Sequence, residues 1–264
     1  MNLGTVALIA LLLGVAALFW HERRERLRLR ARLEDATTNL ERLQHTFAHF
    51  APGQLVDRII TGGVEHIGEK REVTALFVDL VGYTPLAERT DPAELVALLN
   101  GYYAQMSAAI EEHHGHVSTF LGDGMLALFG ALEPNPWQGD DAVHAALAMR
   151  ERLAVYNAEL ARHGKAPLAI GIGLHRGTGV AGLVGSYGKK EFAIVGRVVN
   201  VAARVQAATR EQGTDILITD DLARTIDRRF VLAQLPPIVL RGIDKPVQLH
   251  AVRGFERSMH PSSG

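Results

Sequence analysis

Of the 18 residues from position 3 to position 20, 15 are apolar and none is charged. Eighteen helical residues span roughly 27 Å, close to the hydrocarbon thickness of a bilayer, so this run predicts a transmembrane helix. A cleaved signal peptide is the competing reading. The Met1-Asn2 start lacks a basic n-region and arginines follow the run directly, which favours a retained anchor. A buried core helix is the third option. Further on, Leu29, Leu33, Ala36, Leu40, Leu43, Phe47 and Phe50 recur in alternating steps of four and three. That heptad seam predicts a parallel coiled coil joining two chains, with an amphipathic helix lying on its own domain as the alternative. Pro52-Gly53 ends the seam, and residues 51–72 read as a connector with a short helix near 55–60.

From residue 73 the pattern becomes one of alternating strands and helices. Residues 73–79 (VTALFVD) read as a buried strand. Residues 92–114 read as a long helix with an apolar stripe at Leu95, Leu98, Leu99, Tyr102, Met106 and Ile110. Two strands, 117–121 and 125–129, flank the turn Gly122-Asp123-Gly124. A helix at 140–163, a strand at 168–174 and a Gly-rich stretch lead to a strand at 192–195 and a helix at 197–212. Residues 230–240 and 247–252 close as a hairpin. Helices interleaved with mixed strands predict an α/β domain with helices packed on a sheet, spanning 73–254 and leaving 255–264 as a tail.

Composition narrows the chemistry. The 264 residues include no cysteine, which excludes a disulfide scaffold, thiolate metal sites and a cysteine nucleophile. The net charge of −1 gives no support to a nucleic-acid partner, but it is unevenly spread. Residues 21–32 hold six arginines against two glutamates, so +4 sits beside the apolar run and −5 on the rest. No aromatics interleave with these arginines, so they read as a topology signal that also touches anionic lipid. They place the C-terminal side in the cytoplasm, with the basic segment and coil together covering 21–50.

Two aspartates stand where a core role does not suit them. Asp79 ends an apolar strand and Asp123 lies in a hairpin turn; a lone buried carboxylate is costly. Adjacent strands would bring both to one edge, where paired carboxylates can hold magnesium together with substrate phosphates. Leu80, Val81, Gly82, Tyr83 and Thr84 follow Asp79 as a turn whose amides suit phosphate. Asn200 and Arg204, four apart, share one helix face, which suits ribose orientation and charge stabilisation on a transferring phosphoryl group. Taken singly, each has a structural reading: turn aspartates mostly shape turns, and the Asn/Arg pair can be a cap or a surface ion pair.

Taken together, the stretches EVTALFVDLVGYT (72–84), FLGDGMLALF (120–129), GIGLHRG (171–177) with Gly182 and Gly185-Ser186, and 195–204 resemble the class III nucleotidyl cyclase catalytic domain, the adenylate and guanylate cyclase family. The four occur in family order over about 73–252. The resemblance implies a ferredoxin-like α/β domain that works as a head-to-tail homodimer, with active sites at the interface and two Mg2+ or Mn2+ ions in each. It implies Asp79 and Asp123 as metal ligands, with Gly122 beside the substrate. Asn200 and Arg204 from the other subunit would orient the ribose and stabilise phosphate charge. Arg241, with Lys245 second, matches the basic residue that holds the terminal phosphates. The reaction implied joins the ribose 3′-hydroxyl to the α-phosphate, giving a 3′,5′-cyclic nucleotide and pyrophosphate.

Two positions depart from the family's base-selecting pairs. Adenylate cyclases usually carry Lys where Thr119 stands and Asp or Thr where Ala193 stands; guanylate cyclases usually carry Glu and Cys. ATP is the expected nucleotide by family frequency, with GTP, a pyrimidine nucleotide or relaxed selectivity as alternatives. A degenerate cyclase-like module that binds nucleotide and acts through the coil is the non-enzymatic reading; retention of all four catalytic positions opposes it. A diguanylate cyclase is a poor fit, because its Gly-Gly-(Asp/Glu)-Glu-Phe run is missing. His113, His114 and His116 read as exposed helix-end residues, His175 as packing or surface, and Trp137 as a cover for a core edge.

Overall fold

A computed structural model describes residues 68–186 and 189–256, all within a compact unit of Gly62–Gly264. The expected span at 3–20, the basic segment and coil at 21–50 and most of the connector lie outside the described residues. Among the described residues no helix is long and apolar enough to cross a membrane.

β1 (Glu69–Leu80) is the central strand. Its alternation sends Leu76, Val78 and Leu80 to one face and Val73, Ala75 and Phe77 to the other, so each face nucleates its own core. Two long helices cover the first face, α2 (Pro92–Glu112) and α3 (Gln138–Arg162), through Tyr102, Met106, Ile110, Val143 and Met149. α2 starts cleanly because the Asp91 carboxylate accepts from the Ala93 and Glu94 amides, at 2.9 and 3.3 Å, with Pro92 next in line. β2 (His116–Leu121) and β3 (Gly124–Phe129) form the expected hairpin, and β3 pairs antiparallel with β1. On the other side of β1 lies β4 (Ile170–Ser186). β5 (Lys189–Val195) folds back on β4, and α4 (Arg197–Glu211) crosses the second face of the sheet. With β6 (Ile216–Thr219), β7 (Phe230–Gln234) and β8 (Leu249–Phe255), the main sheet order is β2-β3-β1-β4-β6-β8-β7, with β5 attached to β4.

Several boundaries differ from the sequence reading. β4 does not stop at residue 174. It runs on through the glycines because neighbours crowd it: a Cβ on Gly179 would stand 2.3 Å from Ile194 Cγ2. Residues 83–84 are not a plain turn but open the seven-residue helix α1 (Tyr83–Arg89), whose Pro85 falls in the first turn, where its missing N–H costs nothing. The short strand β6 (Ile216–Thr219) and helix α5 (Asp220–Ala223) carry too few residues for a readable period. The closing hairpin is shorter than expected. β7 (Phe230–Gln234) pairs with β8 (Leu249–Phe255), and Pro236-Pro237 breaks the ladder before one isolated bridge from Ile238 to Val247.

Candidate active site

Asp79 sits near the end of β1, opposite Gly171 of β4 and beside Val78, which faces Met125 of β3. The β2–β3 turn passes over Gly122 in the left-handed region, at φ 65°. Gly124 follows at a close approach: a Cβ there would lie 2.9 Å from Val78 O and 3.0 Å from Asp79 Oδ1. The missing side chain is what brings Asp123 against Asp79. Burial and then the neighbouring Asp123 carboxylate push the Asp79 carboxyl up to about 6.

Such crowding of like charge is what a hard divalent cation relieves. Both groups offer oxygen donors, and the Asp79 side chain is 31% exposed, leaving room for water and phosphate. Among the described residues no group of three or more His, Cys, Asp or Glu could form a metal cage. The donor set therefore fits magnesium or manganese held jointly with substrate phosphates.

Two tyrosines of α2 frame this pair. Tyr103 donates its hydroxyl to the Gly122 carbonyl and packs its ring 4.7 Å from that of Phe120, so it clamps the turn carrying Asp123. Tyr102 is fully buried, and its hydroxyl has no partner among the described residues. Burial, then the charge of Asp79, raises its pKa, so it remains a neutral phenol. The sequence marked Tyr102 only as part of the core stripe and gave no sign of Tyr103. Arg210, in the last turn of α4, reaches Asp79 Oδ2 at 3.2 Å and the Leu80 carbonyl at 3.1 Å. Nothing local in the sequence marks Arg210, because an arginine in a last helical turn ordinarily serves the helix C-terminus.

The expected phosphate turn is only partly available. The Leu80 side chain is buried, and the Val81 amide already donates to Ala169 O at 2.8 Å. What remains is Gly82, at φ 75°, and the amides of Tyr83 and Thr84 that open α1 and have no intrahelical acceptor.

The second group of residues lies elsewhere on the chain. Asn200 is exposed on α4, and Arg204 donates from Nη1 to Gly242 O at 3.0 Å. A Cβ on Gly242 would stand 3.2 Å from Arg204 Nη2, so this glycine, at φ 68°, admits the guanidinium. The tether places Arg204 beside the loop that exposes Arg241 and Lys245. Arg204 and Arg210 are six residues apart, about 9 Å along the helix and roughly 240° around it. Arg204 therefore leaves α4 on a different side from the arginine that touches Asp79. Arg204 and the carboxylate pair thus meet α4 from different sides.

Thr119 is half-buried on β2 at a register shift, and Ala193 lies on β5 opposite Gly182. The two strands are not paired in the sheet, but the His116 ring on β2 and the Phe192 ring on β5 stand 6.4 Å apart. His116 is thus not the exposed residue expected from sequence; burial lowers its pKa to about 4 and keeps it neutral. His175 is buried and bonded to Thr219 Oγ1 at 2.9 Å, in keeping with packing. Trp137, expected over the core, is exposed at the start of α3 because the preceding Asn135 turn holds it outward.

Residues 66–254 match the family model described as the adenylate and guanylate cyclase catalytic domain. An adenylate cyclase of Anabaena cylindrica is 32% identical over 234 residues, which cover 84% of this chain and 46% of that one. The chain spans less than half the length of the curated relatives it matches. The crystal structure of the guanylyl cyclase Cya2 is 30% identical with a TM-score of 0.68, covering 73% of this chain and 96% of that one. The adenylyl cyclase CyaB from P. aeruginosa gives the same TM-score at 26% identity, covering 73% of this chain and 99% of that one.

Proposed function

The chain belongs to the class III nucleotidyl cyclase catalytic-domain family, and from that premise we propose that it is a membrane-anchored adenylate cyclase acting as a homodimer. It converts ATP to 3′,5′-cyclic AMP and pyrophosphate. The single observation that carries this reading is the separation just described. The carboxylate pair closes one end of β1, while Arg204 stands beside the 241–245 loop on a different side of α4, with Asn200 exposed one turn before it. Each is half of a phosphoryl-transfer site, and a second copy placed head to tail supplies what the first lacks. Exposed Phe120 and Leu121 on the metal hairpin, with exposed Val184 and Val195 on the β4–β5 arm, give such a pairing apolar surface to cover.

In this reading Asp79 and Asp123 hold two Mg2+ or Mn2+ ions. When bound, these supply Lewis-acid stabilisation of the α-phosphate and of the attacking 3′-oxygen. Asn200 orients the ribose, and the Gly242 tether pre-sets Arg204 where negative charge grows, so little is lost in ordering it during reaction. Exposed Arg241, with Lys245 behind it in preference, meets the terminal phosphates. Thr119 and Ala193 face the base with one hydroxyl and no side-chain donor. This favours a second reading, in which selectivity is relaxed or lies with GTP or a pyrimidine nucleotide. The chain is similar to both an adenylate cyclase and a guanylyl cyclase, so the resemblance alone does not choose the base. The apolar run at 3–20 and the arginines after it support a single-pass cell-membrane protein with its catalytic domain in the cytoplasm. The heptad seam supports pairing through the coil.

The test is turnover by the full-length chain in detergent with ATP, GTP, CTP and UTP in turn, with Mg2+ or Mn2+, and identification of the product. Pyrophosphate release together with 3′,5′-cyclic AMP is expected. A folded dimer silent with all four nucleotides overturns the enzyme reading.

A further inference from the structure

We propose that Arg210 is a resident counter-ion of the carboxylate pair: it closes on Asp79 when no divalent cation is bound, is displaced when one binds, and thereby sets metal affinity. The inference rests on the metal-binding role of Asp79 and Asp123 and extends it to a residue outside that pair.

The argument begins with what Arg210 touches. Its Nη2 lies 3.2 Å from Asp79 Oδ2 and 3.1 Å from the Leu80 carbonyl, so one guanidinium nitrogen spans two oxygens at the mouth of the pair. The side chain is 53% exposed and does not pack as a core residue, yet it turns back onto the strand end instead of extending into solvent. Glu211 follows it directly in sequence, but the ion pair Arg210 makes is with Asp79 of a distant strand. Two adjacent carboxylates attract any cation within reach, and the only side-chain cation bonded to Asp79 among the described residues is this one.

A monovalent cation at that position has a definite consequence. It relieves part of the repulsion between Asp79 and Asp123, so the empty site is more stable than a bare pair. The divalent cation must then displace a bond that is already made. Both partners are partly open to water, so the exchange is worth a modest factor and not an abolished site. Backbone anchoring makes the exchange clean: the arginine keeps its place on α4 and gives up only its two contacts. Arg210 is on this account a positioning residue for the metal pair and not a catalytic one.

The experiment is Mn2+ binding to the full-length protein without nucleotide, followed by the loss of the free-ion electron paramagnetic resonance signal. Arg210→Met is expected to bind Mn2+ about three- to tenfold more tightly than wild type, and Arg210→Lys to stay near wild type. Arg210→Gln carries the same expectation as Arg210→Met, should that variant fold poorly. Hydrogen exchange supplies a second readout. Mn2+ is expected to speed exchange in the last turn of α4 in wild type and to leave it unchanged in Arg210→Met. Affinity equal to or weaker than wild type in both neutral variants overturns the proposal. Asp79→Asn separates the two levels: if it leaves Mn2+ binding intact, the metal role of the pair falls. If it removes binding while the Arg210 variants change nothing, only the counter-ion fails.

Discussion

In the proposed site Thr119 of β2 and Ala193 of β5 offer a purine edge one side-chain hydroxyl between them. A site that leaves base edges unpaired discriminates weakly, because specificity comes from polar groups that one base satisfies and another does not. Placing Lys at 119 and Asp at 193 restores the pair usual in adenylate cyclases. The double substitution is expected to raise the ratio of ATP to GTP kcat/KM by about tenfold or more, measured by competitive turnover. An unchanged ratio would move base reading to other residues. Asp79 makes a different point at this scale. Its carboxyl is held near 6 by burial and by Asp123, and both causes come from residues distant in sequence.

At the scale of elements, α4 and β4 are locked by close approach. A Cβ on Gly173 would stand 2.0 Å from the Gln206 amide nitrogen and 2.7 Å from Ala202 O, both backbone atoms that cannot swing aside. A Cβ on Gly171 would meet Thr209 Oγ1 at 2.2 Å. These glycines let the helix bed onto the strand, and the helix in turn places Asn200, Arg204 and Arg210. Gly173→Ala is therefore expected to cost about 2 kcal/mol or more in urea unfolding and to suppress turnover. Gly254→Ala, on β8 with open space around it, is expected to change stability by less than about 0.5 kcal/mol. Equal effects of the two would remove the packing argument.

For the whole molecule, a shared site has a consequence that a self-contained one lacks. Asp79→Ala disables the carboxylate half and Arg204→Ala the other half, so each homodimer has two damaged sites. Mixing the two inactive proteins under conditions of subunit exchange lets heterodimers form with one intact site. Recovery toward about a quarter of wild-type activity is expected, since half the dimers are mixed and each holds one working site. Absence of recovery despite demonstrated exchange argues for a site within one chain. The proposed anchor and heptad seam belong to this scale too: both would raise the local concentration of a second catalytic domain.

By itself the sequence determined the α/β class, the long helices α2 and α3 and the β2–β3 hairpin, each carried by a local signal, a hydrophobic period or a turn residue. It put forward Asp79, Asp123, Asn200 and Arg204 only through four stretches in family order, since each alone also has a structural reading. It left out β6, α5 and the length of β4, where runs are too short or too rich in glycine to show a period. Only the tertiary structure decided that the Val81 amide is already used, that His116 is half-buried and neutral, and that Tyr103 and Arg210 converge on the carboxylate pair. It also tied Arg204 to the Gly242 carbonyl and Arg210 to Asp79, on different sides of α4. Contacts between residues 131 positions apart, such as Arg210 with Asp79, leave no local pattern, because they arise from how the sheet and helix are packed rather than from their neighbours in sequence.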